Sequence, residues 1–139
     1  MSRRRGGIAA PLTMLIVDRS PMQRAMLKRV LQLSAVPIAA IVDTPHHADA
    51  LAQLASAPVH ALFVGVDPPG DHGLELLRVV VQRDEWRQVV CVATGAHPVA
   101  ALAHQPSLPP HRTLETPFTV AGVREVLREL IGVPEILNS

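Results

Sequence analysis

Apolar positions along this chain follow two rhythms. Leu12–Val17, Ile38–Val42, Ala61–Val66 and Val89–Ala93 are short, almost wholly apolar runs, the length of buried strands. Each is followed by a stretch in which apolar residues recur at helical spacing. Met22, Met26, Val30 and Leu33 follow the first run, with Arg24, Lys28 and Arg29 between them. Ala48, Leu51, Ala52, Leu54 and Ala55 follow the second, to about Ser56; Leu74, Leu77, Val80 and Val81 follow the third. Start signals agree with this rhythm. Ser20-Pro21-Met22-Gln23 reads as an N-cap serine, a proline at the first helical position and a glutamine at the capping-box position, so a helix is predicted over 21–33. Thr44-Pro45 repeats the cap-plus-proline signal for a second helix. Pro98, Pro106, Pro109 and Pro110 leave room for only a short helix at 98–104. Arg112–Leu114 reads as a fifth strand, and Thr119 as the cap of a last helix, with Val123, Val126, Leu127 and Leu130 on one face and its end at Gly132.

Five strand–helix pairs in alternation predict an α/β protein: a doubly wound, five-stranded parallel sheet with right-handed connections and helices on both faces. Burial on both faces accounts for strands that are apolar throughout rather than alternating. One domain is expected over 11–132, between an N-terminal tail, 1–10, and a C-terminal tail, 133–139. No internal repeat is present.

Composition narrows the function. The formal charge of the 139 residues is +1, but Arg3, Arg4 and Arg5 lie in the first five residues. Without them, 10 basic side chains face 12 acidic ones, a poor balance for gripping nucleic acid. Aromatic residues are 2% of the chain, too few for a base-stacking surface. The single cysteine, Cys91, excludes an internal disulfide and any cysteine-rich zinc module, and reads as a small core residue. No apolar run approaches membrane-spanning length, and the short apolar stretch Ile8–Leu12 contains Pro11; a cytoplasmic protein is expected.

Parallel sheets of this kind do chemistry at the carboxyl ends of their strands. Those ends read Asp18-Arg19, Gly65 to Gly73, Thr94-Gly95 and Thr116-Pro117-Phe118. With the segments LIVDRSP, DPPGDHGLELL, VCVATGA and LETPF, in this order and at these separations, the chain over about 12–131 resembles the receiver domains of bacterial response regulators, the CheY-like family. The resemblance implies the (βα)5 flavodoxin-like fold. It also implies a pocket in which a strand-three aspartate takes a phosphoryl group. An acidic pair after strand one helps to hold Mg²⁺ there, and a hydroxyl and a lysine contact the phosphoryl oxygens.

This chain departs from that pattern at most pocket positions. Pro69 and Gly73 match the loop, and eight residues before Gly73 the phosphoacceptor position is Gly65, which has no side chain. Asp18 keeps one member of the acidic pair, and Arg19 stands at the other. Thr94 keeps the hydroxyl; Thr116 replaces the lysine, and Thr113 stands at the aromatic switch position. A pseudo-receiver is therefore expected: no enzyme, no cofactor, Mg²⁺ binding lost, acting in signal transduction through phosphorylation-independent protein–protein contacts. The alternative is a phosphorylatable receiver using Asp67, displaced two residues beyond Gly65. On a continued strand Asp67 would share that residue's side about 6–7 Å farther on. Arg19 is expected to fill the emptied cation site and pair with Asp18 or Asp67. The resemblance also implies a cis peptide bond between Thr116 and Pro117.

Other chemistry is weak. His46 and His47 are adjacent and diverge on a helix, His97 and His104 are separated by a proline-rich segment, and no carboxylate pair completes a metal shell. No catalytic triad spacing, phosphate-cradling glycine loop or helix-turn-helix is present. The resemblance implies output through the face of the fourth helix, fifth strand and fifth helix. His104, Arg112, Arg124 and Arg128 are the candidate contacts there, for a signalling protein or a second copy of the chain, with no nucleic acid and no membrane.

Overall fold

The structure, a computed structural model, describes residues 11–68, 72–103 and 112–131. Both tails, His104, Pro69 and Gly132 lie outside them. Five strands, β1 (Leu12–Val17), β2 (Ile38–Thr44), β3 (Ala61–Gly65), β4 (Val90–Gly95) and β5 (Arg112–Glu115), form one parallel sheet in the order β2-β1-β3-β4-β5. The helices are α1 (Pro21–Leu33), α2 (His47–Ser56), α3 (His72–Val81), α4 (Pro98–Ala103), α5 (Val120–Val126) and a final turn α6 (Arg128–Ile131). A short 3₁₀ turn at Asp84–Trp86, with no clear sequence signal, precedes β4.

The pleat divides the core into two layers. Leu15, Val17, Leu62, Val64 and Ala93 face α2 and α3. Met14, Ile16, Phe63 and Val92 face the other way, against Leu27 and Leu31 of α1 and Val123 and Val126 of α5. β1, β3 and β4 are buried on both faces, as their apolar runs predict. β2 is only half-buried despite an equally apolar run, because it is an edge strand.

The cap of α1 forms as predicted: Gln23 N donates to Ser20 Oγ at 3.1 Å. Thr119 likewise accepts from Gly122 N at 3.0 Å. Two predicted helix limits are corrected. α2 begins at His47 rather than after Thr44, because pairing with β1 keeps Thr44 in β2, where its C=O accepts from Asp18 N at 3.1 Å. Thr44 Oγ1 instead accepts from His46 N and donates to Asp49. The last helix is not continuous: Leu127, fully buried, leaves helical geometry between α5 and α6 as its side chain enters the core.

Candidate functional site

β1 and β3 are neighbours, yet their following helices pack on opposite faces, so a crevice opens beyond their carboxyl ends. There an open cavity of about 260 Å³ is lined by Asp18, Arg19, Ser20, Gln23, His47, Gly65, Asp67, His72 and Gly73, among others. The structure thus brings together four of the six pocket residues expected from the sequence. Thr94 sits beside Gly65 in the β3–β4 register and is almost fully buried. Thr116, half-buried, donates its N–H to Gly95 O at 2.9 Å, and the bond to Pro117 is cis, as expected. Thr113, half-buried, pairs with Ala93.

Gly65 is closely surrounded. A Cβ built there would overlap Asp18 Oδ2 and lie 2.6 Å from Asp18 Cγ. The carboxylate of Asp18 therefore occupies the volume that a longer strand-three side chain would need. It is held there by Ser20 N, which donates to Oδ1 at 2.9 Å, while Arg24 Nη1 donates to the Asp18 carbonyl at 2.6 Å. Burial pushes the Asp18 carboxyl above its ordinary range. The nearby charge of Asp67 adds to this; the Ser20 hydrogen bond, Arg24 and Arg19 oppose it. Arg24 and Lys28 also grip Asp43, at 3.0 and 2.8 Å. The Lys28 hydrogen bond, with Arg24 beside it, holds that carboxyl below its usual range.

Gly73 explains the loop's length. Its Cβ position falls on the carbonyl oxygen of Gly65, so the start of α3 packs directly on the end of β3. Asp67 departs from the extrapolated strand geometry. β3 stops at Gly65, and the Asp67 side chain turns toward β4, where Oδ1 accepts from Ala96 N at 2.8 Å. Its Oδ2 accepts from Gln23 Nε2 at 3.4 Å. Arg19 is exposed, lines the cavity and acts on Asp18 through its charge.

Gln23, His47 and His72 line this pocket but were not singled out for it by sequence reasoning. Gln23 carries a capping signal, but only its N–H serves the cap; its side chain reaches Asp67. His47 and His72, at the starts of α2 and α3, meet edge to face with ring centroids 5.5 Å apart. Burial, and then the neighbouring His72, lowers the pKa of His47. Among the described residues no three His, Cys, Asp or Glu side chains converge on a cation site. The pocket does not fit the Mg²⁺ implied by the resemblance: one carboxylate is directed at Gly65 and the other is bound to a backbone N–H.

Of the candidate partner residues, the three described arginines are engaged within the domain. Arg112 pairs with Glu129, Arg128 with Glu125 at 3.3 Å, and Arg124 Nη1 donates to the Ser34 carbonyl after α1 at 2.7 Å. Cys91 is buried, its thiol pushed up to about 11 by desolvation. No described helix is long and apolar enough to cross a membrane.

No protein-family model matches the sequence, and no curated protein matches it. Solved structures match its fold. The chemotaxis protein CheY4 of Vibrio cholerae aligns with a TM-score of 0.70 and 19% identity, over 87% of this chain and 99% of that one. The bacteriophytochrome response regulator AtBRR aligns with a TM-score of 0.74 and 16% identity, over 94% of this chain and 99% of that one. The signal receiver domain of an HD domain-containing protein from Pseudomonas fluorescens Pf-5 gives 0.68 and 19%, over 87% and 94%. The chain therefore has the flavodoxin-like (βα)5 fold of CheY-like receiver domains.

Proposed function

We propose that the chain is a pseudo-receiver: a response-regulator-type module of two-component signalling that acts through protein–protein contacts without being phosphorylated. The observation that carries this reading is the Gly65–Asp18 contact. Where a strand-three nucleophile would stand there is no side chain, and the space is filled by the carboxylate of Asp18. Without that nucleophile, and with a pocket that does not fit Mg²⁺, the ordinary route of phosphoryl transfer is closed. The module is then neither an enzyme nor a metal binder, and its setting is the cytoplasm. Its partner is a signalling protein or a second copy, met through the α4–β5–α5 face, where Val99 and Val120 stand exposed.

The test is intact-mass spectrometry after incubation with acetyl phosphate and Mg²⁺, with Asp67→Asn alongside. The expected result is no added phosphoryl mass in either protein. An added mass lost in Asp67→Asn would make Asp67 a displaced phosphoacceptor; one retained in it would place the nucleophile elsewhere. Either gain overturns the proposal.

A further inference from the structure

Beyond Gly65 the chain stays beside β4 for one more residue, with Val66 N donating to Thr94 O at 2.9 Å. Asp67 then reaches across to the loop that joins β4 to α4. Its bond to the Ala96 N–H, 2.8 Å long, is charge-assisted and stronger than a neutral pair. The preceding residue, Gly95, has φ of 149°, a backbone shape that side chains rarely adopt. A Cβ at Gly95 would overlap Asp67 Oδ1 and lie 2.7 Å from Asp67 Cγ. The carbonyl of Gly95 accepts from Thr116 N in the β5–α5 loop at 2.9 Å. The Gly95–Ala96 segment is thus gripped twice, by Thr116 through its carbonyl and by Asp67 through the following N–H. α4 starts two residues farther on, at Pro98.

Gln23 completes the arrangement from α1. Its amide nitrogen faces Asp67 Oδ2, while its Oε1 is buried with no hydrogen-bond partner among the described residues. An orphaned buried oxygen is unfavourable. It is tolerated here in an orientation that turns the donor toward Asp67.

We propose that Asp67 is a positioning residue whose carboxylate serves as a built-in anion, tethering the β4–α4 loop and so holding the start of α4 in one arrangement. The inference goes beyond the interaction reading and stands whether or not that reading holds. It assigns Asp67 a use that needs no phosphodonor, no metal and no covalent step.

Amide hydrogen exchange on the 139-residue chain tests it, comparing wild type with Asp67→Ala and Asp67→Asn. In Asp67→Ala the Ala96 amide is expected to exchange at least about tenfold faster, while the β3 amides of Leu62–Val64 keep their protection. Asn offers a neutral acceptor oxygen in the same place, so Asp67→Asn should exchange faster than wild type but slower than Asp67→Ala. Equal exchange at Ala96 in wild type and Asp67→Ala overturns the tether, as does an Asn variant that exchanges as fast as the Ala variant. Should Asp67→Ala fail to fold, the wild-type chain alone decides. A through-hydrogen-bond NMR coupling between the Ala96 amide nitrogen and the Asp67 side-chain carboxyl carbon is expected. Its absence, in a spectrum that resolves the Val66–Thr94 coupling, refutes the proposal.

Discussion

The two ends of the central strands are fastened by different chemistry. At the amino end the ties are backbone groups and one imidazole. His60 donates its N–H to Thr13 O at 2.9 Å, accepts the Thr13 N–H at Nδ1 at 3.0 Å, and takes the Val90 N–H on its carbonyl at 3.0 Å. One residue thus knits β1, β3 and β4 where they begin, beside the buried Trp86. At the carboxyl end the side-chain ties are two carboxylates and the guanidinium of Arg24, which donates to the Asp18 carbonyl. Asp18 holds the turn into α1 and Asp67 holds the loop into α4, and the charge of Asp67 helps to raise the Asp18 carboxyl. The contrast separates a scaffold end from a working end. Beside Gly65, which carries no side chain, the charged groups of the carboxyl end serve as internal fasteners.

The largest effect expected at the carboxyl end comes from the tightest contact, which is not a charged one. Gly73→Ala places a methyl on the Gly65 carbonyl, backbone against backbone, and neither β3 nor α3 can yield without moving buried neighbours. A loss of about 3 kcal/mol in urea unfolding is expected. A loss below about 1 kcal/mol would mean that α3 is free to shift and that this end is looser than its contacts imply. At the amino end, His60→Ala removes the acceptor of the Thr13 N–H and leaves the backbone ties in place. It should cost about 1–2 kcal/mol. If it cost more than Gly73→Ala, the comparison would be reversed, with the imidazole tie holding the strands more firmly than the glycine packing.

The sheet and most helices were legible in the residues because their signals are local. The β1 run, its cap at Ser20 and the helical spacing behind it predict β1 and the limits of α1 that the structure has. The start of α2 was not legible, because Thr44 is kept in β2 by pairing to β1, a long-range contact that outweighs a local cap. The pocket divides in the same way. Asp18 could be placed because it directly follows the β1 run, and Gly65 by counting back from Gly73. The direction of Asp67 could not, because it depends on β3 ending at Gly65 and on a positive φ at Gly95. Nor could the filling of the Gly65 space by Asp18, which joins side chains from different strands.

The smallest expected effect is a gain, and it reports on the charge of the working end alone. Burial, together with Asp67, raises the Asp18 carboxyl above its ordinary 3.8, so the folded state holds the Asp18 proton more tightly than the unfolded chain. As pH rises from 3.8 through the raised folded value, the unfolded chain ionises first and stability is lost. At neutral pH the charge on Asp18 is therefore a net burden on the fold. Asp18→Asn removes that charge, and its side-chain oxygen still accepts from Ser20 N. The variant should melt higher than wild type near neutral pH. That advantage should shrink as pH falls through the raised folded value toward 3.8 and be gone below it, where wild-type Asp18 is protonated in both states. Asp43 supplies an internal contrast. Its carboxyl is lowered by Lys28 and Arg24, so its stabilisation is present above the ordinary value and is lost as pH falls through the lowered one. That acid-side loss should be the same in wild type and Asp18→Asn, so it cancels in the difference between their melting curves. A variant that melts lower than wild type by a constant amount at every pH would show that the Asp18 hydrogen bonds outweigh its charge. The carboxyl end would then be fastened by geometry alone, much as the amino end is.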